Sequence, residues 1–143
     1  MKSKADIINE SNKQGPAFLR MLGGAVVDFD AKKSTCTFQF DISKDFCHSI
    51  DIVQGGFVTA MLDAAMSHAL FLSDPEIAGV SSLEIKTMYL EPTRAGKLRV
   101  EGWAVKKGYK TAFLEGRIYN TDGLLTATAT TVSKILRRSK ETV

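Results

Sequence analysis

Two periodicities divide the chain. Over residues 57–72 apolar side chains fall on nearly every face of a 3.6-residue turn, which predicts a helix enclosed by protein rather than one lying on a surface. Elsewhere the period is two. Residues 22–29 and 35–40 predict two strands joined by the polar turn 30–34. In the second, Cys36, Phe38 and Phe40 alternate with Thr35, Thr37 and Gln39, as in a strand with one buried face. After the break at Ser73-Asp74-Pro75-Glu76, strands are predicted over 80–90, 98–105, 112–119 and from Leu125 onward, where Leu125, Ala127, Ala129 and Thr131 alternate with Thr126, Thr128, Thr130 and Val132. The turns 106–110 and Asn120-Thr121-Asp122-Gly123 separate the last three, and three consecutive hairpin-like connections predict an antiparallel sheet. A short helix over 3–14, with Ser3 as N-cap and Asp6 at the third position, ends at Gly15-Pro16, so residues 1–20 form a lid or packing arm. Residues 41–53 follow neither period and predict a loop, the kind of segment that carries functional side chains.

Two strands, one long apolar helix and four further strands make an α+β domain in which a single helix covers one sheet face. A sheet of about six strands must then curl around that helix. At 143 residues the chain is one domain, residues 1–143, large enough for a real core, and 44% hydrophobic with 24% charged residues fits a soluble globular protein. The formal charge of +3 carries no dense basic run interleaved with aromatics, so nucleic acid is not an expected partner, whereas the excess of Lys and Arg suits an anionic small molecule. Residues 1–20 hold no apolar run of a signal peptide, and the helix over 57–72, interrupted by Asp63 and His68, is too short for a membrane span. Cys36 and Cys47 lack metal-ligand spacing and any secreted framework. The expectation is a reduced, cytoplasmic protein with no membrane partner.

Two features of the helix point to chemistry. Asp63 lies in its apolar middle, about two turns from the start and too far in to cap it, and buried carboxyl groups rarely lack a partner or a task. Gly55 and Gly56 place two residues without side chains where the first N–H groups of a helix have no internal partner, so an oxyanion could reach them. Ser67, four residues after Asp63, shares its face, while His68 points to another and reads as a satisfied helix residue.

These residues resemble the hotdog-fold acyl-coenzyme A thioesterases of the phenylacetic-acid-degradation type. That group carries an Asn, a His-Gly-Gly opening the central helix, and an Asp eight residues beyond the first Gly; the matching positions are His48, Gln54-Gly55-Gly56 and Asp63. Gly79-Val80-Ser81 looks like the family's next strand, Tyr89-Leu90-Glu91-Pro92 like the segment that ends it, and the resemblance runs from about residue 22 to 136. Gln54 stands where the family has His, and His48 where it has Asn.

The resemblance implies a hotdog fold, hydrolysis of a medium-chain or aryl acyl-coenzyme A, and a homodimer or homotetramer with the site between subunits. Gly55 N–H, with Gly56 as a second donor, polarises the thioester carbonyl; Asp63 is nucleophile or general base; Ser81 positions the water or the acid. His48 would orient the thioester, and Gln54 can donate through its amide but cannot titrate. Tyr89, Leu90 and Pro92, and the turn with Lys106, Lys107, Gly108, Lys110 and Thr111, would touch coenzyme A, the turn suiting phosphates. A solvated hairpin is the plain alternative for that turn. No cofactor is expected beyond the coenzyme A of the substrate. A non-catalytic acyl-coenzyme A sensor is the competing class, and a hydratase or dehydratase pairing His48 with Asp63 ranks below it.

Overall fold

In a computed structural model, which describes residues 1–139, the chain runs α1 (Lys4–Gln14), α2 (Ala17–Met21), β1 (Gly24–Asp30), β2 (Thr35–Ile42), a 3-10 turn (Lys44–Phe46), β3 (Cys47–Ser49), β4 (Ile52–Val53), α3 (Gly55–Phe71), β5 (Ile77–Tyr89), β6 (Gly96–Lys107), β7 (Thr111–Tyr119) and β8 (Leu125–Arg137). Residues 140–143 of the expected single-domain span lie outside the described residues. Six strands form one sheet in the order β1-β2-β6-β7-β8-β5, with every neighbouring pair antiparallel. The long helix α3 packs on one face of it.

The strand signals are local and register accordingly. In β7 the alternation is strict, with Ala112, Leu114, Gly116 and Ile118 buried between more open neighbours. Phe38, Phe40 and Ile42 of β2 and Val100, Leu114 and Ile118 of β6 and β7 meet Met61, Leu62, Met66 and Leu70 of α3 in one continuous core.

A row of small residues crosses the sheet where the helix lies. Cys36 pairs with Gly102, Gly102 with Gly116, and Gly116 with Ala129, one position on each of β2, β6, β7 and β8. A Cβ on Gly102 would stand 2.4 Å from the backbone carbon of Ala65, and one on Gly116 would stand 3.2 Å from Met66 Cγ. Strand and helix backbones therefore touch at Gly102, and the absence of side chains there lets α3 sink into the sheet.

Two expectations change. The connection from β5 to β6 is not a hairpin: β5 pairs with β8 at the sheet edge, while β6 lands beside β2, so residues 90–95 cross the sheet end. The reason is composition, since β5 buries only Ile77 fully and suits an edge, whereas β6 carries the buried Leu98, Val100 and Gly102 that α3 requires. Nor is α3 enclosed all round. Val58, Met61, Leu62, Ala65, Met66 and Ala69 are buried at three- and four-residue spacing, but Phe57 and Phe71 are exposed and Thr59, Asp63 and Ser67 form a half-buried stripe.

The two sheet edges are treated differently. The side chain of Asn12 on α1 donates to Val26 O at 3.0 Å and accepts from Val26 N–H at 2.8 Å, extending the β1 edge by one amide. Ser3 and Asp6 form the reciprocal capping box that starts α1. The 13-residue β5 has no strand on its outer edge among the described residues and exposes Leu83, Met88 and Tyr89.

If the Gly102 contact sets the depth of α3, Gly102→Ala lowers unfolding stability by about 2 kcal/mol or more, the cost of overpacking a site with backbone on its far side. Urea unfolding of the variant with an unchanged midpoint would contradict that account.

Candidate active site

The first turn of α3 is fixed from two sides. Gln54, the N-cap, accepts the Gly56 N–H on its side-chain Oε1 at 2.7 Å, and its backbone carbonyl accepts from Phe57 N–H and Val58 N–H. The expectation that Gly56 offers a second oxyanion donor is therefore corrected: its N–H is occupied by Gln54, and Gln54 acts as an acceptor rather than through its amide donor. Gly55 N–H has no protein partner among the described residues. It is the free donor of the helix end.

Along the seam between α3 and β5, hydroxyls of the strand meet the polar stripe of the helix. Ser82 Oγ–H donates to Asp63 Oδ1 at 2.8 Å. Thr59 Oγ1 lies 2.8 Å from Thr87 Oγ1 and 3.1 Å from the Tyr89 hydroxyl, which donates to Gly55 O at 2.9 Å. The acid is thus held by Ser82, not by Ser81 as expected. Strand pleat sends neighbours to opposite faces, and Ser82 faces the helix while Ser81 points away from it. A bulge between Ser82 and Glu84 then changes the parity, so Thr87 and Tyr89 face the same helix as Ser82. Sequence reasoning missed Ser82, Thr59 and Thr87. The available signal was the spacing of Thr59, four residues after Gly55 and four before Asp63, on one helical stripe.

The two halves of the site open into separate cavities. One, of about 400 Å³, is lined by Gly55 with His48, Ile52, Val53, Val58, Tyr89, Leu90 and Pro92. The other, of about 530 Å³, is lined by Asp63, Ser67 and His68 together with Phe18, Phe71 and Val80. Ala64 and Ala78 also line it, and a further wall comes from Ser11, Gln14, Gly15 and Pro16, so the N-terminal arm closes over the acid. Of the expected residues, His48, Gly55, Tyr89, Leu90 and Pro92 are brought together, with His48 exposed and its Nδ1 3.0 Å from Ser49 Oγ. The segment of 41–53 that carries His48 is not a plain loop but the 3-10 turn and the small β3–β4 hairpin.

The lysine turn is elsewhere. Lys106 is exposed and β6 extends to Lys107, so the turn shrinks to residues 108–110; Lys107 Nζ reaches Ser73 Oγ, and Arg137 donates to Gly108 O and Tyr109 O while pairing with Asp74 at 2.9 Å. Gly108 N–H bonds Thr111 O, and Lys110 O accepts from Ile135 N–H. This cluster lies at the C-terminal end of α3, and within one chain the structure does not bring it to Gly55 or Asp63. Arg137 beside Asp74 holds that carboxyl below its usual range.

His68 shares the cavity of Asp63 rather than facing away from it, although it is a satisfied helix residue. Its Nδ1–H donates to Ala64 O at 2.8 Å, and its ring meets Phe38 and Phe71 edge-on. Burial lowers its pKa from the ordinary 6.5, with the Ala64 bond opposing. Burial also pushes the Cys36 thiol up to about 12, which removes it as a nucleophile at neutral pH. Among the described residues no group of three or more His, Cys, Asp or Glu is placed to hold a metal ion, and no helix is long and apolar enough to cross a membrane.

The fold and the matched segment place the chain among known proteins. It belongs to the thioesterase superfamily, whose family model matches residues 51–127, from the β3–β4 hairpin through α3 to the start of β8. Its α+β architecture, six antiparallel strands around one long helix, is the hotdog fold. The phenylacetic acid degradation-related protein of Ralstonia eutropha JMP134 superposes with a TM-score of 0.81 at 25% identity, over 89% of this chain and 98% of that one. The PaaI protein of the E. coli phenylacetic acid degradation operon superposes with a TM-score of 0.80 at 17% identity, over 93% and 94% of the two chains. A Streptococcus mutans protein bound to acetyl CoA shares the fold at 17% identity with a TM-score of 0.70, over 80% and 90%. An uncharacterized Schizosaccharomyces pombe protein is 35% identical over 86 residues, which are 60% of this chain and 45% of that protein. The chain thus spans less than half the length of that relative.

Because His68 is harder to protonate folded than unfolded, its burial costs no stability above pH 6.5 and lowers stability progressively as pH falls below it. Urea unfolding at pH 7.5 and at about pH 5 should show a larger loss for the wild type than for His68→Gln. Equal losses in the two proteins would contradict the assignment.

Proposed function

We propose that the protein is an acyl-coenzyme A thioesterase that works as a homodimer, hydrolysing a medium-chain or aryl thioester to the free acid and coenzyme A. The observation that carries this is Asp63, oriented by Ser82 and facing a cavity walled in part by Phe18, Phe71 and Val80, on the same helix as the Gly55 N–H, which has no partner among the described residues. Membership of the thioesterase superfamily supports the reaction class, and the acetyl CoA held by a protein of the same fold supports the choice of thiol.

The separation of Gly55 from Asp63 supports the dimer. Gly55 and Asp63 are eight residues apart, roughly 12 Å along the helix, too far to act on one carbonyl. Each opens into its own cavity. Pairing the open edges of two β5 strands antiparallel about a two-fold axis between Ile85 and Lys86 would set Ser82 of one copy opposite Tyr89 of the other. The acid held by Ser82 then approaches the partner copy's helix end, because Tyr89 bonds Gly55. The same pairing covers Leu83, Met88 and the unpaired edge.

In the joint site the thioester carbonyl oxygen accepts from Gly55 N–H, and charge developing on it is stabilised by that donor and the helix end. Asp63 either takes a proton from water, whose oxygen adds to the carbonyl carbon, or adds itself to give an anhydride that water then cleaves. In both routes the C–S bond breaks, the thiolate leaves and is protonated, and no cofactor is consumed. The acyl group occupies the cavity under the arm, against Phe18, Phe71, Ala64 and Val80. The pantetheine arm runs along Leu90 and Pro92. Exposed Lys106 and Lys107 at the end of β6, with Lys110 in the turn, attract its phosphates at long range.

Thiol release from a panel of medium-chain and aryl acyl-coenzyme A esters tests the reading. The wild type turns over, and Asp63→Asn, which keeps size and hydrogen bonding, loses a factor on the order of a hundred or more in kcat with its fold intact. In a single turnover in 18O-labelled water, label on Asp63 identifies direct attack followed by water cleaving the anhydride at the aspartyl carbon, whereas the base route, like cleavage at the acyl carbon, puts label only in the product acid. Tight binding without turnover by the wild type would make the protein a sensor, and an Asp63→Asn variant at the wild-type rate would remove the acid from the mechanism.

A further inference from the structure

We propose that the Tyr89 hydroxyl orients the oxyanion donor, as a positioning residue acting through Gly55 rather than as a contact to coenzyme A. The inference rests on the assignment of Gly55 N–H as that donor. Gly55 O can only accept, so the phenol proton of Tyr89 is committed to it. The 3.1 Å contact between Thr59 and Tyr89 must then use the Thr59 proton, and the 2.8 Å contact between Thr59 and Thr87 the Thr87 proton. A directed chain runs from Thr87 through Thr59 and Tyr89 to Gly55 O.

That chain takes over a role the helix could have filled alone. A threonine four residues after Gly55 would ordinarily turn its hydroxyl back to the Gly55 carbonyl, but Thr59 is turned to the strand and Tyr89 supplies the hydrogen bond instead. The Gly55–Gly56 peptide is consequently held at both ends, its carbonyl by Tyr89 and its N–H by Gln54 Oε1. On the other side of Gly55, the Gln54 carbonyl is held by Phe57 and Val58 N–H. The N–H of Gly55 belongs to the Gln54–Gly55 plane, and Tyr89 fixes the next plane across the soft torsions of the Gly55 Cα that joins the two. Tyr89 also packs on Gly55, since a Cβ there would stand 3.0 Å from the hydroxyl. A donor preset toward the position where charge develops needs no reorganisation during the reaction.

Tyr89→Phe removes the hydroxyl and leaves the ring. The expected result is a fall in kcat of roughly tenfold at unchanged KM, less than the hundredfold or more for deleting a donor outright. Nuclear relaxation of the ligand-free protein supplies a second readout that needs no activity: the Gly55 and Gly56 amides should drop from rigid order parameters of about 0.85 toward 0.6. Thr59→Val, which breaks the chain one link earlier, should shift both readouts the same way by less. Unchanged order parameters in Tyr89→Phe would overturn the proposal whether or not the wild type hydrolyses thioesters. A raised KM at constant kcat would also overturn it, making Tyr89 a substrate contact. A wild type without turnover, combined with loosened amides in the variant, would remove the hydrolase reading and leave the clamp standing.

Discussion

The backbone contact between α3 and β6 at Gly102 is the constraint on which the rest of the structure depends. Helix and strand can meet there only because Gly102 and Gly116, flanked by Cys36 and Ala129, leave a shallow trough across four strands. Once α3 lies in the trough, the faces of Val58, Leu62, Ala65 and Ala69 are committed to the sheet. The stripe of Thr59, Asp63 and Ser67 has to look sideways, toward β5 and the N-terminal arm. An acid in the middle of an apolar helix is tolerable because that direction offers a hydroxyl and open space rather than hydrocarbon.

The β5 strand follows the same logic. It carries Ser82, Thr87 and Tyr89 toward the helix, so it cannot also be an apolar central strand, and the sheet sets it at the edge. An edge of 13 residues with exposed Leu83 and Met88 is an association surface unless something covers it. A second copy is the occupant that would also complete the chemistry, because a single helix holds the donor and the acid too far apart. On the proposed reading, fold, edge strand and the separation of Gly55 from Asp63 favour the same arrangement.

Periodicity made most of this architecture legible. The alternation of β2 and β7, and of β8 from Ala127 onward, and the apolar run of α3 are local signals, and Ser3 with Asp6 announced α1. The sheet order was not legible, since the placement of β6 beside β2 is decided by which strand can accept α3 at Gly102. Ser81 and Ser82 are chemically identical in sequence; pleat and a bulge decide between them, and neither has a compositional signature. The occupation of Gly56 N–H was equally hidden, because Gln is an uncommon N-cap and its acceptor role emerges only from the backbone turn before α3. The placement of Gly55 and Asp63 on one helix and the family motif were readable because each depends on spacing along that helix.

The central claim, that each site joins Gly55 of one copy to Asp63 of another, is tested most directly by a heterodimer of two inactive chains. Gly55→Pro deletes the donor N–H at the first helical position, the extended Gln54 backbone, φ −63° and ψ 139°, suits a following proline, and the Tyr89 side chain, 3.0 Å from the new Cβ, has to shift by a few tenths of an ångström to admit it. Its partner chain carries Asp63→Asn. Purified through separate tags, the heterodimer contains one unaltered site and one doubly altered site, so the account predicts about half the wild-type rate although both homodimers are inactive. A heterodimer as inactive as its parents would place donor and acid in the same chain and contradict the account.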